Sequence, residues 1–257
     1  MPDILYGRQA ILECLRARRR TLHRLLAAEG LRPAGPVGEI LAAARQCNLP
    51  VQSVEKRVLD RATNSGHHQG LALEADGYPY ADEDAVWKAA ASAGEAPFLL
   101  LLDHVQDPQN VGSLLRTADA AGVHGVFLPK DRAAAVTPAV VRASSGAAEH
   151  LAIVQIGNLA QMLRRLKDRH LWVCGLDAGP DARLLWEEPL LDEAVALVVG
   201  SEGTGLARLT RERCDALLRI PMGGHVASLN AAIAGAIAML EVRRRRVSAR
   251  GSRGTSG

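Results

Sequence analysis

A single carboxylate stands inside a glycine-rich turn in the last third of the chain. Glu202 lies within residues 200–205, which contain three glycines and directly follow the apolar run 197–199. A turn that needs positive φ angles explains the glycines, but it does not explain an acid among them. A second apolar run, 217–220, leads into a Pro-Met-Gly-Gly loop at 221–224. Two such backbone loops can wrap a small cofactor, so the sequence predicts a binding site here.

Further polar residues follow the first apolar strand and precede the last helix. Asn110 can cap a helix, Gly112 allows close backbone approach, and Arg116 lies near enough to the helix start to grip a phosphate. A capped helix with a surface arginine explains the same three residues. Ser228 and Asn230 open a final Ala- and Gly-rich stretch, where they can cap the helix or face a ligand.

The elements that must position these residues are apolar strands alternating with helices. The predicted strands of this region are residues 98–102, 125–128, 171–175, 195–199 and 217–220, and the clearest helices are 112–121 and 159–168. Uniformly apolar strands indicate a parallel sheet covered on both faces, so the fold class is α/β. Ligands of such sheets bind at the carboxyl ends of the strands, which is where the candidate residues lie.

Composition divides the chain into four parts. Residues 1–75 alternate helix-like and strand-like segments and predict a small α/β domain. Residues 76–95 are acidic, with a short helix at most around 86–91, and are interpreted as a linker. The main domain is predicted over 96–246. The tail, 247–257, is rich in Ser, Gly and Arg and is predicted to be disordered.

Overall composition excludes several classes of protein. The 257 residues are 48% hydrophobic with a mean hydropathy of +0.01, typical of a globular chain. Four widely spaced cysteines, with no histidines at ligand spacing, predict reduced thiols and no metal site. Neither a signal segment nor an apolar run long enough for a bilayer is found, so no membrane role and a cytoplasmic location are expected.

Positive charge is concentrated at the two ends of the chain. Residues 1–75 carry 11 Lys and Arg against 7 Asp and Glu, and residues 243–257 carry 6 against none. Five arginines fall within residues 16–24, and residues 243–246 are all arginine. Both groups could neutralise phosphates of a nucleic acid. The structural alternative is a solvated helix end and a frayed tail.

Three motifs in one order carry a family resemblance. They are Asn110-x-Gly112-x-x-x-Arg116, then Gly200-Ser201-Glu202-Gly203-x-Gly205-Leu206, then Ile220-Pro221-Met222 with Ser228-Leu229-Asn230. Together they resemble the motifs of the SpoU (TrmH-type) ribose 2′-O-methyltransferases over residues 98–242. Tyr6-Gly7-Arg8-x-Ala10 and His68-Gln69-Gly70 are similar to the RNA-recognising domain of the subgroup that modifies a guanosine of large-subunit rRNA.

The resemblance implies a fold, a cofactor and an assembly. The C-terminal domain would be a trefoil-knotted SPOUT domain, behind a small ribosomal-protein-like RNA-binding domain. S-adenosylmethionine would be bound chiefly by Gly200, Ile220 and Leu229, with Met222, Val199 and Gly175 nearby. The protein would be a homodimer through this domain.

The resemblance also implies roles for the polar residues. By the resemblance, Arg116 would be the catalytic arginine, which is described in the family as the base. A guanidinium rarely gives up its proton, so our hypothesis is that Arg116 instead clamps the target phosphate and stabilises the forming alkoxide. Asn110, Glu202, Ser228 and Asn230 would orient Arg116 and the ribose. The predicted RNA contacts are Arg8, Arg18, Arg19, Arg20, Arg142 and Ser145.

The expected substrate is 23S rRNA or a ribosome assembly intermediate. A tRNA ribose, an antibiotic-resistance site on rRNA, or an RNA-binding protein that has lost catalysis are the alternatives. Many family members continue the third motif with Val and Ser, where this chain has Ala231 and Ala232. A nucleotide-dependent oxidoreductase is disfavoured, because no G-x-G-x-x-G follows an early strand.

Overall fold

The structure is a computed structural model that describes residues 2–64, 66–226 and 228–254. The strands are β1 (Asp3–Tyr6), β2 (Leu22–Ala28), β3 (Val51–Val54), β4 (Leu71–Ala75), β5 (Phe98–Asp103), β6 (Gly125–Pro129), β7 (Ile153–Ile156), β8 (Trp172–Leu176), β9 (Arg183–Leu184), β10 (Val195–Gly200) and β11 (Ala216–Arg219). The helices are α1 (Arg8–Ala17), α2 (Pro36–Gln46), α3 (Lys56–Ala62), α4 (Glu83–Ala93), α5 (Pro108–Ala121), α6 (Pro138–Ala143), α7 (Leu159–Asp168), α8 (Arg208–Arg213) and α9 (Ala231–Gly254).

The chain divides into two compact units. The first unit consists of Met1–Pro79 together with Val136–His150, and the second consists of Tyr80–Ala135 and Leu151–Gly257. The sequence does not predict that residues 136–150, which lie inside the second unit along the chain, pack with the N-terminal residues. Local patterns cannot reveal this packing, because it depends on contacts between residues far apart in sequence.

The first unit is a four-stranded sheet with helices. Its strand order is β1-β4-β2-β3, with β4 antiparallel to both β1 and β2 and β3 parallel to β2. Helix α1 buries Ile11 and Leu15, four residues apart on one face, and it ends where Arg18 takes a left-handed φ of 50°. The strands and helices predicted for residues 1–75 are therefore present, with β1 and α3 as additions.

A buried ion pair joins residues 136–150 to the rest of the first unit. The Arg20 and Glu149 side chains are both 0% exposed, and Arg20 Nη2 lies 2.7 Å from Glu149 Oε1. A second carboxylate, Asp3, lies 2.9 Å from Arg20 Nη1. Burial disfavours the charge of Arg20, but hydrogen bonding and attraction to Glu149 outweigh it and raise the pKa of the guanidinium.

The second unit is built on a seven-stranded sheet. Its order is β7-β6-β5-β10-β8-β11-β9, and every neighbouring pair is parallel. All residues of β5 and β10 are buried, as expected for central strands covered on both faces. The predicted parallel α/β sheet is therefore observed, and β10 lies between β5 and β8, which both precede it in the chain.

The predicted linker, residues 76–95, contains an ordered helix. Asp82 caps α4 by accepting a hydrogen bond from the Ala85 amide at 2.9 Å. Val86 and Ala90, four residues apart, are buried, and Val86 packs where any side chain at Gly125 would collide with it. The acidic composition of the segment therefore belongs to the solvated face of a packed helix.

Helix α9 continues to Gly254, so it includes residues 247–254, for which composition predicts disorder. Arginine and alanine favour helix, and no proline interrupts the segment. Residues 255–257 of the predicted tail lie outside the described residues. Among the described helices, none combines the length and the hydropathy that crossing a bilayer requires.

Candidate active site

A cavity of about 390 Å³ opens at the carboxyl ends of β8, β10 and β11. Its apolar side chains include Val199, Leu218, Ile220, Met222 and Leu229. Its polar side chains include Asp177, Ser201, Glu202, Arg211 and Ser228. Apolar walls with a few polar groups, at this volume, are typical of sites for small organic ligands.

The glycine-rich loop forms one wall because its backbone folds tightly on itself. Ser201 and Gly205 form an isolated bridge, and Gly203 and Gly205 take φ angles of 81° and 66°. A Cβ on Gly200 would lie 2.3 Å from the carbonyl carbon of Gly205. Only glycine fits at position 200, so the backbone itself lines the cavity there.

Asn110, Asn230 and Glu202 form a hydrogen-bonded polar cluster beside the cavity. Asn230 Oδ1 accepts bonds from the amides of Ala232 and Ile233 at 2.9 and 3.1 Å, so Asn230 caps α9. Its Nδ2 is thereby left to donate to Asn110 Oδ1 at 3.0 Å and to a carboxylate oxygen of Glu202. The side-chain amide of Asn230 therefore links Asn110 and Glu202, two of the predicted catalytic residues.

Asn110 does not cap its own helix. Asp107 performs that role for α5, accepting a hydrogen bond from the Gln109 amide at 3.1 Å. Asn110 is 7% exposed and lies in the first turn, where its side chain meets Asn230. Because the cap is supplied elsewhere, the capping alternative does not account for Asn110.

Arg116 lies on the exposed surface of α5 and does not line the cavity. No hydrogen bond or ion pair joins its side chain to any other residue among those that the structure describes. Its N–H donors are therefore available to an anion. Ser228 is also exposed, and it lines the cavity.

Five of the six predicted cofactor residues line the cavity, and the exception is Gly175. Gly175 is buried within β8, where an added Cβ would lie 2.6 Å from the Leu206 side chain and 2.7 Å from Cys214 Sγ. Burial raises the pKa of the Cys214 thiol to about 12, so this neighbour is a neutral packing group. Glycine at position 175 therefore allows the Leu206 and Cys214 side chains to pack closely against β8, and its predicted contact with a cofactor stays a prediction.

The sequence reasoning missed Asp177, Gly179 and Arg211, which line the cavity next to the end of β8. Asp177 follows its strand just as Glu202 follows β10. Its position is the signal that predicts it, because ligands of parallel sheets bind at the carboxyl ends of the strands. No sequence feature distinguishes Arg211, since the charged composition of α8 is that of an ordinary surface helix.

The arginines predicted to bind RNA separate into two groups in the first unit. Arg20 is buried against Glu149, and Arg19 donates to Tyr78 Oη and to the Glu149 and Pro79 carbonyls at 3.1–3.3 Å. The prediction that Arg20 contacts RNA is wrong, because its side chain is completely buried, whereas Arg19 is half-buried and its RNA contact stays a prediction. Charge composition alone cannot separate paired arginines from free ones.

The other predicted RNA contacts lie nearer the surface of the first unit. Arg18 is exposed. Arg8 donates from Nη2 to the Gln69 carbonyl at 3.3 Å. The Arg142 guanidinium lies 5.4 Å from the centre of the Tyr6 ring. Ser145 is half-buried and takes a φ of 54°. Arg8, Arg142 and Tyr6 offer cations and an aromatic ring of the kind that RNA-binding surfaces use.

The run of arginines on α9 is largely paired within the second unit. Arg243 and Arg246 both bond to Glu95, at 3.2 and 3.4 Å, and Arg245 bonds to Asp192 and to the Trp186 carbonyl. These contacts fix α9 to neighbouring segments. These three arginines therefore belong neither to a solvated helix end nor to a frayed tail, the structural alternative that the sequence offers.

Comparison with known proteins matches both the N-terminal and the C-terminal parts of the chain to family models. The model of the SpoU rRNA methylase family matches residues 97–240, and that of the RNA 2′-O ribose methyltransferase substrate-binding domain matches residues 4–81. The Bacillus subtilis (strain 168) protein YacO, assigned to the TrmH family of tRNA/rRNA methyltransferases, is 41% identical over 244 residues, which cover 95% of this chain and 96% of YacO.

Two solved structures share the fold. The SpoU methyltransferase AviRb of Streptomyces viridochromogenes, solved with AdoMet, superposes with a TM-score of 0.78 at 24% identity over 96% of this chain and 91% of its own. An RNA 2′-O ribose methyltransferase superposes with a TM-score of 0.76 at 26% identity over 96% and 89%. The predicted SPOUT-type α/β domain preceded by a substrate-binding domain is thereby confirmed.

Proposed function

The chain belongs to the SpoU rRNA methylase family, and from this membership and the geometry of the cavity we propose that it methylates a ribose 2′-hydroxyl in RNA with S-adenosylmethionine as donor. The single observation that carries this proposal is the polar cluster at the glycine-walled cavity. An amide pair and a carboxylate beside a pocket for a small ligand provide a place where donor and acceptor can meet.

The cavity has the features that the donor requires. Apolar side chains from β10, β11 and the loop before α9 can cover the faces of an adenine, while the backbone of residues 200–205 can read its edges. When bound, S-adenosylmethionine supplies an electrophilic methyl group on a sulfonium. The tight approach of Gly200 to Gly205 and the Asn230 cap keep the loops in place for binding.

The side chains around the cavity have separable roles in this proposal. Arg116 clamps the phosphate of the target nucleotide and stabilises the alkoxide that forms at the 2′-oxygen. A guanidinium does not give up its proton in proteins, so Arg116 is not proposed as the base. Asn110, Asn230, Glu202 and Ser228 orient the ribose, and the cluster fixes Glu202 before the RNA arrives.

The first unit selects the RNA. Its match to a substrate-binding domain supports this, and Arg8, Arg18, Arg142 and Ser145 are the proposed contacts. We place the target in 23S rRNA, at a guanosine, on the motifs of residues 6–10 and 68–70. A tRNA target is the second candidate, because YacO carries both substrates in its name.

A homodimer through the second unit belongs to the same proposal. Ile233, Leu240 and Val247 stand seven residues apart along α9, and each is at least half exposed, at 53%, 50% and 54%. Seven-residue spacing places them on one stripe of the helix. An apolar stripe of this kind is suited to contact with a second copy of the chain.

Two experiments test the proposed function. Incubation of the full chain with methyl-labelled donor and rRNA or tRNA from a strain lacking the protein should label one RNA class at one nucleotide. Mapping of that nucleotide decides between a 23S rRNA guanosine and a tRNA ribose. Absence of labelling in both classes would leave only RNA binding and would contradict the proposed activity.

A further inference from the structure

Asp177 and Arg211 form an ion pair on the wall of the cavity. Asp177 follows β8, and Arg211 lies on α8, with Arg211 Nη1 3.1 Å from Asp177 Oδ2. The Asp177 side chain is 12% exposed and that of Arg211 is 42% exposed. Neither residue is among those that orient the acceptor ribose in the proposed methyl transfer.

The carboxylate of Asp177 is fixed before any ligand binds. Its Oδ1 accepts a hydrogen bond from the Gly179 amide at 2.6 Å, and its own amide donates to the Leu218 carbonyl at 2.9 Å. A Cβ on Gly179 would lie 2.7 Å from Asp177 Oδ1 and 3.2 Å from Arg211 Nη2. Glycine at position 179 thus permits the close approach of the loop to the carboxylate.

The strand order places Asp177 next to the loop that holds Glu202. Along the sheet, β5 leads to Asn110, β10 to Glu202 and β8 to Asp177, and neighbouring parallel strands lie about 4.8 Å apart. The methyl group must face the polar cluster if the proposed function is correct. The ribose is attached to the sulfonium through one carbon, so a donor held in this way would bring its ribose within reach of the residues that follow β8.

We infer that Asp177 accepts hydrogen bonds from the ribose hydroxyls of the methyl donor and that Arg211 orients the carboxylate for them. This inference rests on the proposed function. A carboxylate beyond the end of a parallel strand is an established means of holding a ribose diol in α/β folds. Each carboxylate oxygen has a second lone pair available after its bond to Gly179 or Arg211.

The intact ion pair favours the ribose over the amino-acid end of the donor. Binding the ammonium and carboxylate of a methionyl group would require Asp177 and Arg211 to separate. Neutral hydroxyls can donate to Asp177 while the pair stays at 3.1 Å. A paired carboxylate also gives up less solvation than a lone one when a ligand covers it.

Titration calorimetry of the full chain tests the assignment with three stable probes. S-adenosylhomocysteine carries both the diol and the amino-acid end, its 2′,3′-dideoxy analogue lacks the diol, and 5′-methylthioadenosine lacks the amino-acid end. The variant is Asp177→Asn, and the control is Asp181→Asn, which makes the same charge change at an exposed residue outside the cavity lining.

The wild type should bind the dideoxy analogue about ten- to a hundredfold more weakly than S-adenosylhomocysteine, the range for hydrogen bonds to a charged group. Asp177→Asn should bind both with similar, weakened affinity, and it should weaken 5′-methylthioadenosine as well. Asp181→Asn should match the wild type for all three probes.

Two results would overturn the assignment. Unchanged discrimination between diol and dideoxy probes in Asp177→Asn would place the hydroxyls elsewhere. Normal binding of 5′-methylthioadenosine by that variant, with weakened S-adenosylhomocysteine, would assign Asp177 to the amino-acid end. If thermal melting shows Asp177→Asn to be unfolded, Arg211→Gln replaces it. A smaller difference in affinity between S-adenosylhomocysteine and its dideoxy analogue in that variant supports the inference, and an unchanged difference refutes it. A wild type that binds none of the probes contradicts the proposed function instead.

Discussion

An arginine and a glutamate are buried and paired with each other in the first unit, whereas in the second unit an arginine is exposed and a glutamate lines a cavity. In the first unit, Arg20 and Glu149 are completely buried and each satisfies the other. In the second unit, Arg116 is exposed with no partner among the described residues, and Glu202 stands at the edge of a cavity. Saturated polar groups hold structure, whereas groups with free donors and acceptors are available to substrate. Pairing, and not charge, separates Arg20 from Arg116.

Breaking the buried pair should give the largest effect on stability. Glu149→Gln leaves the buried Arg20 with Asp3 as its remaining carboxylate partner, which should cost about 3 kcal/mol, the lower end of the range for a broken buried pair. Hydrogen exchange of the amides in residues 2–64, 66–79 and 136–150 should rise accordingly. Glu55→Gln, which removes the exposed pair with Arg57, is the control and should change stability by less than about 1 kcal/mol. Equal effects of the two variants would contradict a structural role for the buried pair.

Arg116→Lys should lower the methyl-transfer rate by about 10²–10³-fold, the usual cost of losing a donor aimed at a developing oxyanion. Lysine keeps the charge but lacks the planar fork of the guanidinium. Calorimetry should show unchanged binding of S-adenosylhomocysteine, and the melting temperature should stay the same. Rates close to wild type would remove Arg116 from the site.

Gly200→Ala tests whether the loop backbone shapes the cavity. The added Cβ would collide with the backbone of Gly205, so the loop must shift, at a cost of about 1–3 kcal/mol. Affinity for S-adenosylhomocysteine should fall by about five- to a hundredfold. Gly223→Ala is the matched control, since its Cβ would meet nothing within 4 Å. A similar loss in the control would show that the effect is not local to Gly200.

The smallest effect concerns the anchoring of α9. Hydrogen bonding and attraction to Arg244 and Arg245 lower the pKa of Glu241 to about 2. A depressed carboxylate pKa adds stability above the unfolded value, near 4.5, and that stability is lost as pH falls from 4.5 towards 2. We expect about 1 kcal/mol, discounted because Arg244 is mostly exposed.

Acid unfolding of Glu241→Gln measures this contribution. The variant should lose about 1 kcal/mol of the pH-dependent stability between about pH 4.5 and 2, whereas Glu212→Gln, in an exposed pair with Arg208, should keep it. An unaltered acid transition in the first variant would show that the pair does not anchor α9.

The sequence predicts what depends on local pattern. The fully apolar runs at β5 and β10 indicate central parallel strands, and the glycines around Glu202 indicate the loop that walls the cavity. Strand carboxyl ends in one sheet lie on one edge, so the approach of Glu202 to Asn110 and Asn230 follows from the same pattern.

What the sequence could not predict depends on contacts between distant residues. Arg20 and Glu149 are 129 residues apart, so nothing near either one indicates that it is buried. The role of Gly175 in packing depends on Leu206 and Cys214, which reach it from other segments. Glycine at a strand end suits both ligand approach and close packing, and only the neighbours distinguish the two.

The proposed methyl transfer is tested most directly by identifying the product. RNA from a strain lacking the protein, incubated with the wild-type chain and methyl-labelled donor, should be digested to nucleosides and analysed by mass spectrometry. We expect one labelled nucleoside with the methyl group on its ribose 2′-oxygen, and about 10²–10³-fold less of it from Arg116→Lys over the same time. A label on a base, or equal labelling by both proteins, would contradict it.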